Sequence, residues 1–343
     1  MPEPREPKPT KAQIREARRE AAARANTETQ IPVSPLITRR RLLLGIGSAL
    51  GLAAVTATGL AITRNWAPAQ GNNSADFPRF LSDLDTRTQG PKGVDLLNDK
   101  SKEITERALD QVGLYIGSKP TPIENVKLLK NRQELIAATT QDGGCPITTT
   151  LPITALNRII RNRSAWIGVI TEPFSKQAAS DVAEGVIHED IHFRTLIRDF
   201  TPDDMTPLLP ANLKYHTLAG IRASFTKPGT DPSNPCNTDS YRGQLLEGHV
   251  QFSTLQILIF SGVRLGPGGY QATSYPKLTS LYTENIGRLF PQDHKPQILI
   301  PFLEAKPSLF FRNMGTRMDP KNSDPALYAE RKTVDLFANI PLG

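Results

Sequence analysis

In Gly185-Val186-Ile187-His188-Glu189-Asp190-Ile191-His192-Phe193, two imidazoles stand four residues apart and a carboxylate follows the first directly. Residues i and i+4 lie about 40° apart on one helix face, so both rings can reach a single cation. Imidazole suits zinc and its first-row neighbours. Glu189 projects beside the pair, where it can take a proton from water polarised by the metal. At 100° per residue, Val182, Gly185, Val186, Phe193, Leu196 and Ile197 share the arc that includes Glu189. An uncompensated carboxylate on a buried face is costly, so a helix with only packing to do rarely carries one there.

A catalytic zinc needs three protein ligands and an open position. After His192 the chain reads Phe-Arg-Thr-Leu-Ile-Arg, with no third His close by. Glu247, in Gln244-Leu245-Leu246-Glu247-Gly248-His249-Val250, lies 55 residues beyond His192. Its segment is apolar almost all round, and Gly248 would let another helix approach. The alternative for Glu247 is a buried ion pair with Arg242 or a lysine. His216 and His249 compete for the third position, although His249, two residues from Glu247, points elsewhere on a helix. Tyr215, Tyr241 or one of those histidines could donate to a developing oxyanion. Asp181, Glu184 and Asp199 are candidate acceptors for the imidazole N–H groups.

The elements that would position these residues follow from periodicity. Ile104, Ala108, Val112 and Tyr115 recur at helical spacing and predict a helix over 98–115. Short β-like runs are expected at 126–129, 147–153 and 166–171, and two strong helices at about 180–200 and 241–260. The C-terminal third, rich in proline, reads as irregular apart from helices near 276–289 and 325–338. Leu265-Gly266-Pro267-Gly268-Gly269 lacks the flanking strand and helix of a phosphate loop and reads as a turn.

The His188-Glu189-x-x-His192 pattern resembles that of the zincin metallopeptidases. With Glu247 as third ligand it is similar to their gluzincin branch. The resemblance covers the motif helix and the strand-rich stretch before it. It implies Zn2+ held by His188, His192 and Glu247, a metal-activated water, Glu189 as general base, and hydrolysis of a peptide bond in a peptide or protein substrate. Asp190 and Arg194 depart from the family pattern, which has an uncharged and an apolar residue there.

The formal charge of +7 is not evenly spread. Residues 1–41 carry ten Arg and Lys against five Glu, whereas 65–343 carry thirty basic against twenty-nine acidic residues. A nucleic-acid-binding body would carry the excess itself, so no nucleic-acid partner is expected. Between Arg41 and Arg64 lie 22 uncharged residues, long enough as a helix to cross a bilayer. The arginines before them predict a cytoplasmic N-terminal side. Thr38-Arg39-Arg40-Arg41-Leu42-Leu43-Leu44 resembles a twin-arginine translocation signal. These features predict a single-pass anchor at the cell membrane with an extracytoplasmic body; cleavage near Ala67-Pro68-Ala69, giving a secreted or periplasmic protein, is the alternative. Two cysteines exclude a disulfide scaffold, but in an oxidising compartment Cys145 and Cys236 could form one bridge.

The sequence therefore predicts an α+β, zincin-like body (77–343) behind a basic tail (1–41), a transmembrane helix (42–63) and a polar linker (64–76). The expected function is that of a membrane-anchored zinc metallopeptidase. The alternative is a non-enzymatic envelope protein that keeps the scaffold or the metal site for binding or assembly.

Overall fold

The computed structural model describes residues 76–87, 93–141, 154–159, 164–170, 178–231, 238–264, 275–338 and 340. The chain divides into two compact units, Met1–Thr56 and Ala57–Gly343, and every described residue belongs to the second. The expected membrane span 42–63, the expected strand 147–153, and both Cys145 and Cys236 lie outside the described residues. Among the described residues no helix is long and apolar enough to cross a membrane. The fold class expected from the sequence is corrected accordingly: what the structure supports is an α+β body, with no membrane-spanning helix among its described residues.

The elements run α1 (Asp76–Arg87), α2 (Gly93–Ile116), β1 (Val126–Leu129), α3 (Arg132–Gln141), β2 (Thr154–Ile159), β3 (Ser164–Ile170) and α4 (Ala179–Arg194). There follow β4 (Ile197–Asp199), β5 (Tyr215–Ala219), β6 (Arg222–Thr226), β7 (Thr238–Tyr241) and α5 (Gly243–Phe260). The rest is α6 (Pro276–Asn285), a π-helical run Lys295–Leu299 leading into α7 (Ile300–Leu303), α8 (Pro307–Met318) and α9 (Pro325–Phe337). One sheet has the order β1-β3-β2, with β1 parallel and β2 antiparallel to β3; the other is an antiparallel meander, β4-β5-β6-β7.

The main core gathers the helices around α4. Val182, Ala183, Val186, Ile187 and Ile191 of that helix are all fully buried, together with Ile104 and Val112 of α2 and Leu245, Val250 and Ile257 of α5. A helix buried on nearly every side holds its register tightly, because a slip would move apolar side chains into mismatched holes. Its start is fixed from α1: Asp85 accepts from the Ala179 N–H at 2.5 Å and from the Ser180 hydroxyl at 3.1 Å. These bonds satisfy donors that a helix N-terminus leaves open.

Motif helix α4 stops at Arg194, several residues short of the expected end. Thr195 turns extended, with φ −67° and ψ 123°, and its hydroxyl donates to the Ile191 carbonyl at 2.7 Å. The arc drawn from the sequence therefore ran too far: Leu196 is half-exposed, and Ile197 opens a strand.

In the C-terminal third the helices expected near 276–289 and 325–338 are present, and α7 and α8 stand where irregular chain was expected. Pro276, Pro307 and Pro325 each occupy the first turn of a helix. There proline costs no hydrogen bond and its fixed φ suits the helix.

Candidate metal centre

His188 and His192 of α4 bring their Nε2 atoms to 3.2 Å, and Glu247 Oε2 from α5 lies 3.3 Å from each. The three donors form a nearly equilateral triangle between the two packed helices. Charge-assisted hydrogen bonds close to about 2.7–2.9 Å. The edges here are longer and nearly equal. Ligands bonded tetrahedrally to zinc at 2.0–2.1 Å lie about 3.3–3.4 Å from one another. His188 is 5% exposed, and the other two residues are partly buried. Among the described residues this is a His-His-Glu group that could hold a metal ion.

Each arm of the triangle has a local cause. The four-residue spacing of the histidines puts both rings on one face of α4. Glu247 comes from α5, which packs against α4 and, at Gly248, closely against α6 and α9: a Cβ there would meet Phe337 Cε1 at 2.9 Å and the Leu278 carbonyl oxygen at 3.3 Å. The alternative partner for Glu247 is occupied elsewhere. Arg242, fully buried, is paired with Glu330 of α9 and donates to the Ile221 carbonyl at 2.9 Å.

Electrostatics follow from that arrangement. Burial disfavours charge on His188, but the hydrogen bond with Glu247 and the charges of Glu189 and Glu247 outweigh it, and its pKa is pushed up to about 9. Burial would raise Glu247, yet the charge of His192 and hydrogen bonds from both rings hold it well below the usual carboxylate range. Glu189 is half-buried next to His188 and lies outside the ligand triangle. Its charge also raises Tyr275, together with burial and the larger influence of Glu247.

Two residues at the site escaped the sequence reading. Gln251, one turn after Glu247, accepts through Oε1 from His188 Nδ1 at 2.9 Å, and its amide nitrogen donates to the buried Glu184. Glu184 thus sits one bond further from the imidazole than expected. Tyr275 places its ring 5.7 Å from that of His188. Its backbone is left-handed, φ 48° and ψ 49°, immediately before Pro276 at the start of α6. Such a conformation in a bulky residue is held only by its surroundings and is concentrated at functional sites. A tyrosine before a proline was the sole sequence sign.

The other candidates are placed elsewhere. His216 bonds the Thr226 hydroxyl on the meander, and Tyr215 stacks on Phe200. Tyr241 lies against the Arg242 guanidinium. His249 is fully buried, its Nδ1 bonded to the Tyr282 hydroxyl at 2.8 Å. Asp181 accepts from the Ala178 N–H at the head of α4, and Asp199 ends the edge strand β4. The two departures from the family pattern are partners of each other. Arg194 Nε donates to Asp190 at 2.8 Å, and the buried Asp190 also accepts from the Thr121 hydroxyl at 2.5 Å. Arg194 reaches on to the Ser118 hydroxyl and the Lys119 carbonyl. The pair ties the back of α4 to the loop after α2.

Comparison with protein-family models, with curated proteins and with solved structures gives no match. The functional reading accordingly rests on the site itself.

Proposed function

We propose that this protein is a zinc-dependent hydrolase of the metallopeptidase kind, acting on a peptide or protein substrate. The observation that carries the reading is the donor triangle, with its edges of 3.2, 3.3 and 3.3 Å. Two imidazoles and one carboxylate are a donor set of catalytic zinc sites, in which the fourth position stays open. Bound there, zinc supplies Lewis acidity that polarises a carbonyl and makes water nucleophilic near neutral pH.

The chain's own residues would do the rest. The Glu189 carboxylate receives the proton given up by the attacking water and passes it to the departing amine nitrogen. The Tyr275 hydroxyl, kept protonated by burial and two nearby carboxylates, is a donor for charge building on the carbonyl oxygen. His188, His192 and Glu247 orient the ion and hold it against the body.

The test is metal analysis and peptide hydrolysis on the purified chain beside three variants. One zinc per chain is expected, lost in His188→Ala and in Glu247→Ala. Glu189→Gln should keep the zinc and lose hydrolysis of an unstructured protein such as casein by about 100-fold or more. Stoichiometric zinc surviving both ligand substitutions would refute the site. Unchanged hydrolysis by Glu189→Gln would refute the enzymatic role.

A further inference from the structure

Two four-residue ladders face each other across the helix pair. On α4 the ladder is Glu184, His188, His192; on α5 it is Glu247, Gln251. They are laced by four bonds: His188 and His192 each to Glu247, His188 to Gln251, and Gln251 to Glu184. The last two run in series and involve groups with fixed hydrogen-bonding character. The Gln251 NH2 turns toward Glu184, donating to its Oε1. The amide oxygen is then left to face His188, and it only accepts. His188 must therefore keep a proton on Nδ1, so Nε2 is the nitrogen that gives up its proton and turns a lone pair to the donor triangle when a metal binds.

The opposite amide orientation would have the opposite consequence. An NH2 facing His188 Nδ1 would demand a lone pair there and drive the proton to Nε2, 3.2 Å from His192 Nε2 and 3.3 Å from Glu247. That proton would occupy the position of an ion. Glu184, although it does not touch the imidazole, decides between the two. Both relay residues are fully buried, so water does not compete for the bonds.

We propose that Glu184 and Gln251 form a positioning relay that locks His188 in the Nδ1–H tautomer and so sets the site's affinity for zinc. The inference rests on the reading of His188, His192 and Glu247 as zinc ligands. It adds that metal affinity depends on a carboxylate two bonds away from any ligand nitrogen. Partners of this kind are worth about 10–100-fold in metal affinity.

The variants are Glu184→Gln, Gln251→Leu and the exchange Glu184→Gln/Gln251→Glu, made in the full chain. Zinc affinity is measured by competition with a chromophoric chelator. Separately, the His188 Nδ1–H resonance is followed in zinc-free protein carrying 15N-histidine, and thermal unfolding checks that each variant folds. Glu184→Gln is nearly isosteric but offers Gln251 a donor as well as an acceptor, so the amide orientation is no longer fixed; a packing role predicts unchanged affinity, the relay a loss of about 10-fold or more. Gln251→Leu should lose as much, together with the slowly exchanging Nδ1–H signal. The exchange variant turns the relay round, with an amide donating to a carboxylate that accepts from His188. It should recover affinity to within about threefold of the parent and restore the signal. Parent-like affinity and an intact signal in Glu184→Gln, or an exchange variant no better than Gln251→Leu, would overturn the relay. If the parent takes up no zinc, the metal reading fails, while the Nδ1–H signal in the same proteins still decides the relay.

Discussion

Arg242 is paired with Glu330 rather than with Glu247. Both members of the pair are almost completely buried, and Arg242 sits in a left-handed turn, φ 70°, at the entrance to α5. Thr206 adds a hydroxyl bond to Glu330 at 2.9 Å. This pairing engages Arg242 with another carboxylate, while Glu247 lies against the two histidines. Breaking one partner of a buried ion pair strands the other charge, which costs about 3–5 kcal/mol. Glu330→Gln should therefore lower stability by that order in chemical unfolding. Because Glu247 is not part of the pair, the folded fraction should still bind one metal ion. Loss of metal from folded Glu330→Gln would mean that the two carboxylates are coupled.

The raised pKa of His188 predicts how loading depends on pH. In the metal-free protein its pKa of about 9 lies above the ordinary 6.5, so the ring is protonated at neutral pH. The His188–Glu247 attraction stabilises the metal-free fold fully below about pH 6.5 and fades as pH rises through about 9. A metal ion must displace that proton. Zinc affinity should thus rise about tenfold per pH unit up to about 9 and then level off. Calorimetric titration at pH 7.5 in buffers of different ionisation enthalpy should report about one proton released per ion. No proton release would show that His188 is already neutral.

The site was legible in proportion to how local its signals are. His188 and His192 need only a helix between them, and their spacing states it. Glu247 lies 55 residues away, yet a carboxylate in an otherwise apolar helix stands out because burying it alone is costly. Gln251 gave no such sign: an amide in a helix is unremarkable until Glu184 of another helix is known to face it. Asp190 and Arg194 looked like faults in the motif because each was read alone. Four residues apart, they form an ion pair on the reverse of the same helix.

The fold divides along the same line. Long periodic helices such as 243–260 and 325–337 were found almost to the residue, because many positions vote for one period. The meander was missed. Its strands are three to five residues long and lack clean alternation; β5 reads Tyr-His-Thr-Leu-Ala, β6 Arg-Ala-Ser-Phe-Thr. Strands of that length are defined by their partners. Helix α8 was hidden in a proline-rich stretch that reads as irregular, although Pro307 marks its beginning.

Gly248 offers a test of how Glu247 is positioned. A methyl group at this residue would press on the Phe337 ring at 2.9 Å and on the Leu278 carbonyl oxygen at 3.3 Å. The ring can give; the carbonyl is backbone. Gly248→Ala should therefore push α5 away from α6 and α9, at a cost of about 1–3 kcal/mol despite the better helix propensity of alanine. Glu247 is the preceding residue, so zinc affinity should fall together with stability. Pairing the change with Phe337→Leu relieves the ring clash and should recover part of both. A Gly248→Ala protein as stable as the parent would show that the close approach is not under constraint.

His294 provides a stability prediction away from the site. It is completely buried against Phe252 and His249, and neither ring nitrogen has a hydrogen-bond partner among the described residues. Buried polar atoms without partners cost about 1–3 kcal/mol. His294→Leu should accordingly stabilise the protein at neutral pH by about 1 kcal/mol or more, with Phe252 keeping its apolar neighbour. The pH dependence gives a second readout with a definite sign. Burial lowers the His294 pKa to about 3, below the ordinary 6.5, so between these values the unfolded chain takes up a proton that the folded one refuses. The parent should lose stability as pH falls through that window, and His294→Leu should lose less, its slope smaller by about one proton. Equal slopes for the two proteins in urea titrations at pH 4.5 and 6.5 would show that the imidazole is already satisfied in the folded state.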